Sequence, residues 1–220
     1  MEKVKFTKPQ QIIIDEFKSD SYMRDNFYFT GGTALSVYYF GHRESEDLDF
    51  FTEQYLPKEL VQQFVSKIAS KHKLKFNLRE IEGFNNILVY NIDFNELGEV
   101  KIDFNSYPYL QIEERQLMEG IKVDSLRDIG TNKLQTITQR TEVKDFVDFY
   151  FLLQKFTIWD LMYGVETKFK MKIDPVLIGE VYMKIEDFTV LPKMLVPLTL
   201  PQLQRFFKRQ SRQLAKSFTK

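Results

Sequence analysis

No cysteine occurs among the 220 residues, which excludes disulfides and thiolate metal ligands and fits a reducing compartment. No run of about 18 uninterrupted apolar residues, the length a bilayer span requires, is present. Behind Met1-Glu-Lys-Val-Lys-Phe6 there is no apolar leader segment either. The expectation is a soluble, cytoplasmic protein without membrane contacts. Net charge is also lacking: 31 basic residues balance 31 acidic ones, so no whole-protein field selects a nucleic acid or a membrane. Internal repeats and low-complexity linkers are absent. Proline is scarce, and three of the 7 residues, Pro192, Pro197 and Pro201, break up a single late segment.

Apolar and aromatic material is plentiful. The chain is 43% hydrophobic, with 21 Phe and 11 Tyr, enough for one packed domain or two small ones. Periodicity changes along its length. Pro9–Lys18 reads as a helix with Ile13, Ile14 and Phe17 on one stripe and Thr7 as its cap. Residues 27–30 read as a short strand, which Gly31-Gly32 turns into a helix carrying Ala34, Leu35, Val37, Tyr38 and Phe40 and ending at Gly41. Asp47–Phe51 is a second strand, and Pro57–His72 a helix. Leu74–Ile81 alternates towards a turn at Gly83, and Asn95–Gly98 joins two further strands as a hairpin. Helical periodicity then takes over at Ile129–Gln139, Val143–Gln154, Ile158–Phe169, from Pro175, and over Arg205–Lys220. These patterns predict an α+β protein: a mixed-sheet unit over residues 1–109 and a helical unit over 110–220, tightly packed together.

One stretch carries chemistry. Gly31 and Gly32 remove the Cβ atoms that keep phosphates from backbone N–H groups, and Thr33 adds a hydroxyl. Ordinary turns use Gly-Gly equally well. Asp47 and Asp49 stand two apart on a strand, so both carboxylates leave one face. Such a pair can hold Mg²⁺ between protein and triphosphate, or can be a solvated edge. Arg43 and Ser45 precede the acid pair and could contact phosphate oxygens, although Arg43 could instead only balance Glu44 and Glu46 on the surface.

A third acid would strengthen the metal reading. Asp103 shares a face with Lys101 while Val100, Ile102 and Phe104 take the other, and Asp93 has nearly the same local context. Patterning separates the two poorly. In the helical part Lys133 and Arg140 are about two turns apart and point to one side. With Ile137, Lys144, Asp145 and Asp148 they form a suggestive set. Lys144 and Asp148 have the spacing of a surface ion pair; the functional alternative makes Lys133 a charge partner for a triphosphate and Asp148 an orienter or part of the acidic centre. After Asp187 there is no acid, while Lys193, Arg205, Lys208, Arg209, Arg212, Lys216 and Lys220 surround Phe206 and Phe207. That end suits RNA contact or a docked helix with solvated charges.

Five blocks in order carry a resemblance: Gly31-Gly-Thr-Ala-Leu35, Gly41-His-Arg-x-Ser45, Asp47-Leu-Asp-Phe-Phe51, Lys133-x-x-x-Ile137-x-x-Arg140 and Lys144-Asp-Phe-x-Asp148-x-Tyr150. Together, over about Tyr28–Leu153, they resemble the AbiEii/AbiGii nucleotidyltransferase toxin family, a branch of the polymerase β-like nucleotidyltransferases. The resemblance implies a polymerase β-like core followed by a helical part. It implies catalytic roles for Asp47, Asp49, Asp103, Lys133 and Asp148, and metal binding, Mg²⁺ or Mn²⁺, by Asp47, Asp49 and Asp103. Nucleotide contacts would come from Gly31, Gly32, Thr33, Arg43, Ser45, Lys133 and Arg140. The implied reaction is NMP transfer from an NTP to an acceptor hydroxyl at a tRNA 3′ end. The protein would act as the toxin of a toxin–antitoxin or phage-defence system, paired with an antitoxin. Transfer to a protein or small molecule, and a non-enzymatic partner-binding role, are the alternatives.

Overall fold

In the computed structural model, which describes residues 4–79 and 86–217, the alternating segments close into one mixed sheet. Among the described residues the sheet has seven strands in the order β3-β4-β5-β2-β1-β7-β6. The strands are β1 (Tyr28–Thr30), β2 (Leu48–Thr52), β3 (Lys75–Arg79), β4 (Ile87–Asp93), β5 (Glu99–Ser106), β6 (Gln116–Met118) and β7 (Ile121–Val123). The turn expected at Gly83 lies outside the described residues, as do Ile81 and Lys220.

By internal contact the chain divides into two compact units, one formed by Met1–Tyr39 with Ser45–Ser125, the other by Phe40–Glu44 with Leu126–Lys220. The first holds the sheet together with α1 (Lys8–Ser19), α2 (Ser21–Asn26), α3 (Gly31–Ala34) and α4 (Lys58–His72). The second holds α5 (Leu126–Gln139), α6 (Val143–Leu152), α7 (Ile158–Phe169), α8 (Pro175–Met183) and α9 (Leu200–Ser217). The sequence placed the end of the α/β part near Tyr109; β6 and β7 lie beyond it and join the sheet through β7 on β1. The α+β class is as expected, with mixed-sheet strands first and helices after.

Local chemistry accounts for the main elements. Thr7 and Gln10 form a reciprocal capping box that starts α1. Gly98, at φ +89°, supplies the left-handed step of the β4–β5 hairpin. After α3 the chain widens into a π-helical stretch, Leu35–Phe40, and Gly41 leaves it at φ +60°.

The core of the first unit is aromatic. Phe50 of β2 stacks on Phe17 at 4.2 Å between ring centroids, lies 5.5 Å from Phe104 and 5.3 Å from Phe29, and all four are fully buried. Because side chains alternate along a strand, burying Leu48 and Phe50 turns Asp49 to the opposite face, and burying Ile102 and Phe104 does the same for Asp103. In the second unit, Lys168 on α7 pairs with Asp128 on α5 at 2.7 Å, both side chains fully buried. Phe207 of α9 packs 5.2 Å from Phe146 and 5.1 Å from Tyr182. Among the described residues no helix is long and apolar enough to cross a membrane.

Phe50→Ala should lower unfolding free energy by about 3–5 kcal/mol, the usual cost of deleting a fully buried phenyl ring. Urea denaturation monitored by circular dichroism would read that loss.

Candidate active site

The acid-bearing half of the site rests on one pairing. Strands β2 and β5 run parallel with Asp49 opposite Asp103 in register. Asp47 immediately precedes β2, so the three aspartates gather on one face. Asp93 sits at the far end of β4, opposite Lys75 and Glu99. Its carboxylate accepts from the Asn95 backbone N–H at 2.8 Å. With β5 between β4 and β2, the strand order separates the two candidate third acids that local pattern could not.

The start of β2 is held by groups that the sequence did not connect. Gln10 of α1 donates through Nε2 to the carbonyls of Ser45 at 2.8 Å and Glu46 at 3.0 Å. Thr33 Oγ1 lies 2.8 Å from Ser45 Oγ and hydrogen-bonds the Asp47 carbonyl. Thr33 and Ser45, both expected near a nucleotide, are thus joined to each other and to Asp47. Gly31 has φ +78°, and a methyl group built on it would overlap the Asp49 carboxylate. The glycine is required both for its left-handed backbone and for room beside Asp49. Thr30 precedes the helical turn, but its hydroxyl donates to Asp124 Oδ2 at 2.9 Å and does not cap it.

Lys101 stands among the acids. Its Nζ is 2.7 Å from Asp103 Oδ2 and 3.8 Å from Asp47 Oδ2, with the lysine side chain 38% exposed. Partial burial disfavours its charge. The hydrogen bond to Asp103 and the fields of Asp103, Asp47 and Asp49 outweigh that and raise its pKa. Among the described residues no three His, Asp or Glu side chains converge closely enough to enclose an ion as they stand. The donor chemistry nonetheless suits one. Three carboxylates on neighbouring backbone positions are hard oxygen donors of the kind Mg²⁺ and Mn²⁺ take, and nothing softer intrudes.

The second unit carries the other expected residues as a separate charge network. Asp148 of α6, fully buried, accepts from Arg43 twice, Nε to Oδ1 at 2.7 Å and Nη2 to Oδ2 at 2.9 Å. His42 Nε2 stands 2.7 Å from Oδ1, and Lys133 Nζ 2.7 Å from Oδ2. Lys133 also reaches Asp145 Oδ1 at 2.7 Å, and Arg140 Nε reaches Asp145 Oδ2 at 2.8 Å. The predicted common side of Lys133 and Arg140 is therefore the side of Asp145. Burial opposes ionisation of Asp148, but Lys133 and Arg43 overcome it and hold the carboxyl well below the usual range. Burial likewise opposes the Lys133 charge, and Asp148 and Asp145 more than restore it.

The surface pair expected of Lys144 and Asp148 is not what organises Asp148, which is inside. Lys144 lies 3.3 Å from Glu142. His42 was given no role by the sequence reading, although it falls inside a motif block already singled out; Asp145 was grouped with Lys133, Arg140 and Asp148, and its place between Lys133 and Arg140 is what the structure adds. The late basic segment is also clarified: Phe207 is committed to packing and Phe206 leans on Tyr150 at 4.8 Å, while Arg205, Arg209 and Arg212 are exposed.

Removing one partner from a buried network leaves uncompensated charge. Asp148→Asn should cost about 3–5 kcal/mol at neutral pH. A depressed folded pKa gives stability that is full above about pH 4, where the unfolded carboxyl is ionised, and that fades as pH falls towards the folded value. Thermal melts of both proteins from pH 7 down to pH 3 should show the gap narrowing only at the acid end. Gly31→Ala should fold with a melting temperature lowered by several degrees in differential scanning calorimetry, because its methyl group meets the Asp49 carboxylate at a left-handed backbone step.

Comparison with known proteins follows the same lines. The family described as "Nucleotidyl transferase AbiEii toxin, Type IV TA system" matches residues 13–216. An uncharacterized protein of Aquifex aeolicus is 32% identical over 194 residues, covering 87% of this chain and 82% of that protein. Two solved structures share the fold. JHP933 from Helicobacter pylori superposes with a TM-score of 0.55 at 16% identity, over 96% of this chain and 93% of the other. MenT4, a nucleotidyltransferase toxin from Mycobacterium tuberculosis, also gives 0.55 at 16% identity, over 94% and 85%.

Proposed function

We propose a reaction for a chain that belongs to the nucleotidyl transferase AbiEii toxin family: divalent-cation-dependent transfer of NMP from an NTP to an acceptor hydroxyl, the 3′ end of tRNA. The observation that carries the reading is the register of β2 on β5, which sets Asp49 beside Asp103 with Asp47 one step before the strand. Three carboxylates on one sheet face, next to a glycine turn with no side chain in the way, are the parts a nucleoside triphosphate and its metal require.

In this reading Asp47, Asp49 and Asp103 hold Mg²⁺, or Mn²⁺ in its stead. When bound, the metal supplies Lewis-acid stabilisation of the α-phosphate and lowers the pKa of the acceptor hydroxyl. The chain's own residues do the rest. Gly31 and Gly32 let phosphate oxygens approach backbone N–H groups, and the Thr33–Ser45 pair keeps that turn joined to the start of β2. The acceptor hydroxyl attacks the α-phosphorus in line, the bond from that phosphorus to the α,β-bridging oxygen breaks, and pyrophosphate leaves with that electron pair. In this reading a carboxylate of the trio receives the acceptor's proton.

Lys133, Arg140, Asp145 and Asp148 enter as the network that fixes His42 and Arg43. An antitoxin partner and a cytoplasmic setting, where NTPs and tRNA are available, complete the proposal. Exposed Arg205, Arg209 and Arg212 on α9 offer charge to an RNA backbone.

Incubation of the purified chain with α-labelled NTPs, Mg²⁺ and total tRNA tests the reading. Label is expected in RNA, and Asp49→Asn or Asp103→Asn should reduce it by roughly 100-fold or more. Label in protein or a small molecule would move the acceptor, and no label in anything, with no NTP bound, would contradict enzymatic function.

A further inference from the structure

We propose that Lys101 is a built-in competitor for the divalent cation, its ammonium occupying the acid trio until the metal displaces it. The inference rests on the reading of Asp47, Asp49 and Asp103 as the metal-holding group. It goes beyond that reading by assigning a function to a residue outside the motif blocks.

The geometry separates Lys101 from an ordinary surface lysine. A surface ion pair joins two charges and contributes little. The Lys101 ammonium instead bridges two of the acids, 2.7 Å from Asp103 Oδ2 and 3.8 Å from Asp47 Oδ2. Asp103 is in turn the register partner of Asp49. The oxygens it engages are those a hard cation would need. An ammonium with three donors can satisfy carboxylates at hydrogen-bond distance, whereas Mg²⁺ needs oxygens at about 2.0–2.1 Å. Both cannot hold the same pair of acids at once, so binding of one is release of the other.

The side chain is also built to leave. Strand alternation holds the Lys101 Cα on the same face as Asp103 while Val100 and Ile102 are buried on the other. Only the flexible four-carbon stem has to swing, and that side chain is 38% exposed, so a path to water is open. The contrast within the molecule is direct. Lys133, also held between two aspartates, is 9% exposed with partners that are fully buried, and it has no comparable way out.

Two consequences follow. In the metal-free protein Lys101 keeps three like charges together on one sheet face, so the site persists without its ion. The exchange also sets a threshold, because apparent metal affinity falls in proportion to the fraction of molecules in which the competitor is seated.

Calorimetric titration of the full chain with Mn²⁺ tests this, comparing the native protein with Lys101→Met and Asp49→Asn. Lys101→Met should bind Mn²⁺ more tightly by on the order of tenfold, and Asp49→Asn should bind it weakly or not at all. A second measurement needs no variant. Brief acetylation followed by peptide mass spectrometry should modify Lys101 faster with saturating Mg²⁺ than without it. Lys101→Met binding no tighter than the native chain, or Lys101 acetylation unchanged or slowed by Mg²⁺, would overturn the competitor role while leaving the metal site standing, provided Asp49→Asn still loses Mn²⁺. Equal Mn²⁺ binding by the native chain and Asp49→Asn would overturn the site reading and the competitor with it.

Discussion

The pairing of β2 with β5 imposes an electrostatic demand that the first unit has to meet. Burying Phe50 and Phe104 in one aromatic cluster forces Asp49 and Asp103 onto the opposite face, and parallel register places them side by side. Two carboxylates on paired strand positions repel one another, and Asp47 adds to this. A hydrophobic core would not retain that arrangement for its own sake. The demand is for positive charge, and Lys101 meets part of it. The rest is what a divalent ion is suited to supply.

The second unit handles a similar problem in the opposite way. Asp148 is fully buried and is neutralised by Arg43 through two hydrogen bonds and by Lys133, with His42 Nε2 beside it at 2.7 Å. No exchange with solvent is open to it. Counter-charge on the sheet face is partly exposed and replaceable; counter-charge around Asp148 is sealed. This difference in burial divides the motif residues by physical task. Asp47, Asp49 and Asp103 are the carboxylates to which the proposal gives an exogenous cation. Asp145 and Asp148 hold cationic side chains of the second unit itself in place.

Legibility in the sequence followed the range of the interactions involved. Alternation along β2 and β5 was plain because it is local: Leu48 and Phe50 against Asp49, Ile102 and Phe104 against Asp103. The α1 cap, the Gly98 hairpin and the helix spans of the second unit were equally local. What depended on strand order was not readable. Asp93 and Asp103 have almost the same neighbours, and only the placement of β5 between β4 and β2 distinguishes them. Strands β6 and β7 are three residues each, too short for a period to show. The partners of Asp148 were hidden for another reason. Arg43 lies 105 residues away, while Lys144 at helical spacing offered a local pair that burial does not favour. Lys101 was visible as a same-face neighbour of Asp103, but its reach to Asp47 needed the register.

The central claim is that the acids on β2 and β5 form a metal-dependent nucleotidyl-transfer centre. A crystal structure with Mn²⁺ and a non-hydrolysable NTP, phased for anomalous scattering, tests it most directly. An anomalous peak ligated by Asp47, Asp49 and Asp103 beside the Gly31–Gly32 turn, with the Lys101 ammonium moved off Asp103, is the expected result. Manganese and nucleotide bound away from all three aspartates would contradict it.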